Sequence, residues 1–255
     1  RKPSTTVASM TDHQQNFGAA APLRPWRRWL SQHPVAASAP CRIDMGGTVD
    51  ISTFYVPLQQ LQPATFYLAL DLRTRVELHP HLAEQVRISS RGFDSAEFPC
   101  GAAPYNHRFG LMFAICDHFG ANGVHVRIDS ASPPRSALGG SSVAAVALVA
   151  AFSETARLAG ERAFSRRQIA ELAHIIEAAV AGVACGRQDH LAAAFGGVNV
   201  WQWQTRSADG AFSHQRLSPA GGSGALEMAI LVAYAGKPHV SKTINARWVA
   251  QFLTG

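Results

Sequence analysis

The sequence predicts an α+β domain, and three observations carry that prediction. Short segments with strand-like alternation fill the region between Cys41 and Ser130. Two long helical segments follow, starting near residues 141 and 165. Strands and helices alternate irregularly and no internal repeat is visible, which disfavours a regular doubly wound sheet.

Composition sets the frame. A chain of 255 residues is long enough for one large or two ordinary domains with a real core. With 47% hydrophobic and 16% charged residues it is globular rather than disordered. The formal charge of +6 suits phosphorylated small molecules or nucleic acid. The basic residues are mostly scattered, however, and the densest group, Arg24, Arg27 and Arg28 among Trp26 and Trp29, reads as a solvated or partner-facing arm. Cys41, Cys100, Cys116 and Cys185 form no C-x-x-C pair, which argues for free thiols in a reducing, cytoplasmic setting and against a zinc site. No membrane span is expected, because the apolar run 141–152 is roughly half the ~20 residues a bilayer requires. The first residues are polar and lack a signal-peptide core.

Residues 1–40 are rich in Ser, Thr, Gln, Pro and Ala and read as an N-terminal extension. From Cys41 the pattern changes: CRIDMGG and TFYLALDLRTRVEL have the alternation and β-branched or aromatic content of strands, and VRISS and VHVRIDS are further short strands. The first helix starts at Ser141 or Ser142, runs to about Leu158 and stops at Gly160; being apolar nearly all round, it belongs between other layers. The second opens with Ser165-Arg-Arg-Gln168, a capping box in which Ser and Gln satisfy each other's free N–H groups. Its stripe is Ile169, Leu172, Ala173, Ile176 and Val180, with Glu171 opposite and Glu177 at the margin. A loop, a short apolar segment, a Gly-Gly turn and a strand follow in CGRQDHLAAAFGGVNVWQW, and LEMAILVAY reads as another strand.

Three stretches carry candidate chemistry. Pro133–Ser142, PPRSALGGSS, places small residues and two hydroxyls before a helix. It suits a bound phosphate or an ordinary N-cap equally. It fits neither G-x-x-x-x-G-K-[ST], nor G-x-G-x-x-G, nor G-x-S-x-G. Arg42–Asp50, RIDMGGTVD, sets an arginine and two carboxylates around a glycine pair, or is simply a strand and a turn with solvated charges. In GRQDHLAAAFGG, Asp189 could orient or deprotonate a hydroxyl, or cap the next helix.

Together, in this order and spacing, the three stretches resemble the GHMP kinase superfamily, and within it the heptose-phosphate and fucose type of sugar kinase. Members of that type carry R-x-x-x-G-G-G-T-D, then P-P-G-S-G-L-G-[SG]-S-S, then G-K-Q-D-Q-x-A-A-x-x-G-G. The resemblance covers roughly Cys41 to Trp203, and the third stretch matches most sharply.

The resemblance implies a ribosomal-S5-domain-2-like N-terminal domain at 41–205, and the start of a ferredoxin-like C-terminal domain at 206–255. It implies ATP and Mg²⁺ as cofactors and a sugar or sugar phosphate as acceptor. The loop of Pro134, Arg135, Ser136, Ala137, Leu138, Gly139, Gly140, Ser141 and Ser142 would cradle the triphosphate, with Ser141 and Glu177 holding Mg²⁺. Asp189 would act beside the sugar hydroxyl as base or electrostatic guide, and Arg42 would offset developing charge there. Gly46, Gly47, Asp50 and Arg187 would contact the sugar.

The sequence also departs from the pattern. Arg135 and Ala137 stand where glycines are usual, Val49 separates Thr48 from Asp50, and no late glycine-rich motif precedes Gly255. A fragment or shortened second domain is therefore expected, and a non-catalytic nucleotide- or sugar-binding protein of the same fold is the alternative reading. Lys237, His239 and Lys242 are weaker candidates for an anionic substrate. No nucleic-acid or membrane partner is expected.

Overall fold

One strand organises the sheet. In the computed structural model, which describes residues 26–45, 47–133, 136–182, 184–205, 212–218, 224–233 and 241–255, β2 runs for 17 residues from Ala64 to Pro80. Its second half alternates buried Thr74, Val76 and Leu78 with exposed Arg73 and Arg75, the pattern of a sheet covered on one face. Strand β1 (Val35–Asp44) lies antiparallel along one edge of it. The other edge is shared: β5 (Val124–Ser130) pairs with the second half and β6 (Val198–Trp203) with the first. Beyond β5 come β3 (Gln85–Ser90), parallel to it, and β4 (Phe93–Pro99); beyond β6 comes β7 (Phe212–Ser218). The result is a mixed seven-stranded sheet.

Helices cover one face. Beyond the one-turn α2 (Ser52–Tyr55), helix α4 (Gly140–Leu158) packs on β1 and β2 with α3 (Gly110–His118), α5 (Arg166–Ala181) and α6 (Gln188–Phe195) around it. Its residues Val143 to Val149 are all buried, which accounts for its apolar surface. At 19 residues it is longer than the run counted in the sequence, and it is the one described helix with the length and hydropathy of a membrane span, but most of it lies inside this fold. Ser165 caps α5 as expected: its Oγ accepts from the Gln168 N–H and its own N–H donates to Gln168 Oε1. All four cysteines are free.

A bulge decides what β1 offers to the helices. Up to Cys41 the odd-numbered residues face the core, with Val35, Ala39 and Cys41 buried and Ala36 and Ser38 exposed. The register shifts between Pro40 and Arg42. There Cys41 alone stands against Leu70, Asp71 and Leu72 of β2, and past this irregularity Arg42 and Asp44 point to the helix side.

Three expectations need correction. The part of the expected extension that is described, residues 26–40, belongs to the fold as α1 (Trp26–Gln32) and the first half of β1. Trp26 is 2% exposed and its indole N–H donates to the Phe119 carbonyl at 3.1 Å. Among the described residues of that arm, Arg27 and Arg28 face solvent. The boundary expected at 205 falls inside the sheet, because β7 completes the edge beside β6. The strand expected in LEMAILVAY is not formed by its described residues. A short helix, α7 (Gly224–Glu227), gives way to a turn in which Met228 and Leu231 are about nine-tenths exposed. A strand needs a neighbour for its N–H and C=O groups, and none of the described residues supplies one there. Among the described residues the chain then adds only α8 (Ser241–Thr254).

Candidate active site

Arg42, Ala137 and Asp189 are far apart in sequence and meet in one cluster. The Arg42 guanidinium, 8% exposed, donates from Nε to Asp189 Oδ1 at 2.8 Å, with Nη2 at 2.6 Å from the same oxygen. Its Nη1 donates to the Ala137 carbonyl at 2.7 Å. Burial pulls this guanidinium down, and the charge and hydrogen bond of Asp189 more than restore it. Asp189 also lies against the loop, since a Cβ placed on Gly139 would stand 3.3 Å from its carboxylate.

The loop closes onto α4 through two left-handed residues, Ala137 (φ 62°) and Gly139 (φ 77°). Glycine adopts that conformation freely; alanine is strained in it, so the departure noted at Ala137 has a physical cost. Gly139 caps α4 without a side-chain hydrogen bond. The first N–H groups of the helix therefore point out of its end, where an anion is favoured.

Glu177 of α5 faces this helix start. Its Oε1 accepts from Ser141 Oγ at 2.9 Å and its Oε2 from Ser142 Oγ at 2.7 Å. His190 Nε2, from α6, lies 2.7 Å from Oε2 as well. Burial alone would raise the Glu177 carboxyl, but the bonds from His190 and the two serines outweigh it and hold it below the ordinary carboxylate range. An ionised carboxylate beside an exposed hydroxyl is the hard oxygen chemistry that Mg²⁺ takes, so these residues fit that ion.

The sequence profile described as GHMP kinases N terminal domain matches residues 106–197, a span holding the loop, Glu177 and Asp189. Over that span the chain is similar to GHMP kinase N-terminal domains. Solved structures agree on the fold. A putative sugar kinase from Campylobacter jejuni superposes with a TM-score of 0.57 at 21% identity, over 72% of this chain and 56% of that one. A D-glycero-D-manno-heptose 1-phosphate kinase from Bacteroides thetaiotaomicron gives 0.56 at 17% identity, over 71% and 59%. A Lactococcus lactis galactokinase complexed with galactose gives 0.57 at 15% identity, over 73% and 48%. The match thus spans about half to three-fifths of each kinase's own length. Among curated proteins no sequence match is found.

Within this site the residues expected on the acceptor side behave unevenly. Asp50, expected to reach a sugar hydroxyl, is fully buried: Oδ2 accepts from the Gln188 N–H at 2.8 Å, and Oδ1 has no hydrogen-bond partner. Its carboxylate organises the loop instead, packed so tightly that a Cβ on Gly186 would fall 1.8 Å from Oδ2. Gly47, at φ 70°, turns the chain back, and its N–H donates to Asp44 Oδ1 at 3.1 Å. The Arg187 side chain pairs with Glu171 of α5 at 3.2 Å rather than turning to the Arg42–Asp189 pair. Gly46, Pro134, Arg135, Lys237 and His239 lie outside the described residues, as does the side chain of Lys242.

Sequence reasoning assigned no role to four participants. Gln188 accepts from the Tyr67 hydroxyl and donates to Asp44 Oδ2 at 3.3 Å, tying α6 to β1 and β2. His190 grips Glu177. For Gln188 and His190, adjacency to Asp189 was the available signal. An open depression of about 450 Å³ adjoins the Asp50 loop, lined by Thr48, Val49 and Phe54 with Trp248, Gln251 and Phe252 of α8. A second, of about 550 Å³, is lined by Arg27, Arg28, Ser31 and Pro80 and holds none of the site residues.

Proposed function

We propose that this domain is the nucleotide-binding half of an ATP- and Mg²⁺-dependent kinase that phosphorylates a hydroxyl of a sugar or sugar phosphate. The observation that carries the reading is convergence: Arg42 joins Asp189 to the Ala137 carbonyl while Glu177 takes both serines at the start of α4. Phosphoryl transfer asks chiefly for positioned charge, and this arrangement supplies it at two adjacent places. The sugar kinases among the structural relatives support a sugar acceptor.

In this reading the N–H groups at the start of α4, with Gly139 and Gly140, receive the β- and γ-phosphates. Ser141 and Glu177 hold Mg²⁺, which when bound neutralises phosphate charge. Asp189 Oδ1 is occupied by Arg42, which leaves Oδ2 to receive the acceptor hydroxyl and its proton. Arg42 steadies that carboxylate and counters charge on the oxygen that attacks. The depression beside Phe54 and Trp248 is where the acceptor's carbon skeleton would lie.

The test is calorimetry with Mg·ATP, followed by ADP release over a panel of hexoses, heptoses and their phosphates. Sugar-dependent release is expected. Asp189→Asn should lower it by ~10²–10³ while nucleotide binding persists. A fully active Asp189→Asn overturns the assignment.

A further inference from the structure

We infer that His190 is a positioning residue for the divalent cation, one that fixes which oxygen of Glu177 is presented to the ligand. The inference rests on the nucleotide reading above. Oε2 of Glu177 has two donors at 2.7 Å, His190 Nε2 and the hydroxyl of Ser142, and both of those residues are buried. Among the described residues Oε1 has only the hydroxyl of exposed Ser141 at 2.9 Å. The carboxylate is therefore anchored through its inner oxygen, and its outer oxygen retains a lone pair on the side where α4 begins.

His190 is built to hold that orientation. It is completely buried, and the ring of His174 stands edge-on to it with centroids 5.4 Å apart. His174 is itself held by the Cys185 carbonyl, 3.0 Å from its Nε2. The opposite nitrogen of His190, Nδ1, is buried with no hydrogen-bond partner among the described residues. A buried polar atom left unsatisfied is a cost that an apolar side chain of similar size would avoid. The bond to Glu177 is what an apolar residue could not make. The position is also a feature of this chain, because histidine stands here where the pattern it resembles has the second glutamine of G-K-Q-D-Q.

Two near-isosteric variants isolate the contact: His190→Gln keeps an N–H donor and His190→Met removes it. Affinity for a non-hydrolysable ATP analogue is measured by calorimetry with Mn²⁺ and again in EDTA, and bound Mn²⁺ is counted by its spin resonance. His190→Met should weaken the Mn²⁺-dependent affinity about 10- to 100-fold, as loss of an outer-shell partner does, with the EDTA value unchanged and His190→Gln close to wild type. If both affinities fall together, or Gln and Met behave alike, His190 is a packing residue and the inference fails. If the wild type binds the analogue with no metal dependence, the nucleotide reading fails and takes this inference with it.

Discussion

Asp50 is a carboxylate in a place that suits a carboxylic acid. Burial raises it from the usual 3.8 to about 7, with Asp189 and Asp44 adding to the rise and the Gln188 N–H opposing it. A pKa higher in the folded than in the unfolded chain means that the fold binds the proton more tightly. Its stabilising contribution is therefore complete below about pH 4 and lost as pH climbs to about 7, at roughly 1.4 kcal/mol per unit between them. Asp50→Asn imitates the protonated form and should flatten this dependence. Urea unfolding at several pH values across that window measures it, and parallel slopes for the two proteins would refute the assignment. The same burial explains why resemblance misjudged this residue: a motif names a carboxylate, but exposure depends on Gly186 and Gln188, more than 130 positions away in the chain.

At the scale of elements, what is local was legible. The capping box of α5 was read from four consecutive residues because both of its hydrogen bonds lie within them. Ser165→Ala should cost about 1 kcal/mol, seen as a lower urea midpoint; no change would mean that packing alone sets the helix start. The strands β3 and β5 were legible for the same reason, since their alternation is intrinsic. The first half of β1 was not, because Val-Ala-Ala-Ser-Ala-Pro has little strand propensity and is held by pairing with β2. Helix α3, buried along most of its length, shows no amphipathic stripe to read. In the site, the partners Arg42 and Asp189 are 147 residues apart and Arg42 and Ala137 are 95 apart, so no periodicity could join them. Resemblance supplied the residues; the bulge at Cys41, invisible to it, is what aims Arg42.

Across the whole molecule, two buried clusters share the sheet. The larger lies among α1, α3, α4 and the β3–β5 side; the smaller gathers Tyr55, Tyr67, Trp201, Trp203 and Phe212 near β6 and β7. Trp26 seals the larger one, its ring edge-on to Phe152 at 5.3 Å. Trp26→Ala should cost about 3–5 kcal/mol, enough to threaten the fold, and a chain cut at Cys41 should fail to fold. A truncated chain that melts cooperatively near the intact temperature would disprove this place for residues 26–40.

The first turn of α6 gives the site a rule of inheritance. Gln188, Asp189 and His190 follow one another about 100° apart around the axis, and their side chains answer different partners: Tyr67 and Asp44, Arg42, and Glu177. A substitution at any one of them disturbs that residue's own contacts and leaves the other two aimed. One residue inserted into the turn would misdirect all three at once, beyond any single repair. In descendants of such a chain the number of residues in this turn is therefore held as firmly as the identity of Asp189 itself.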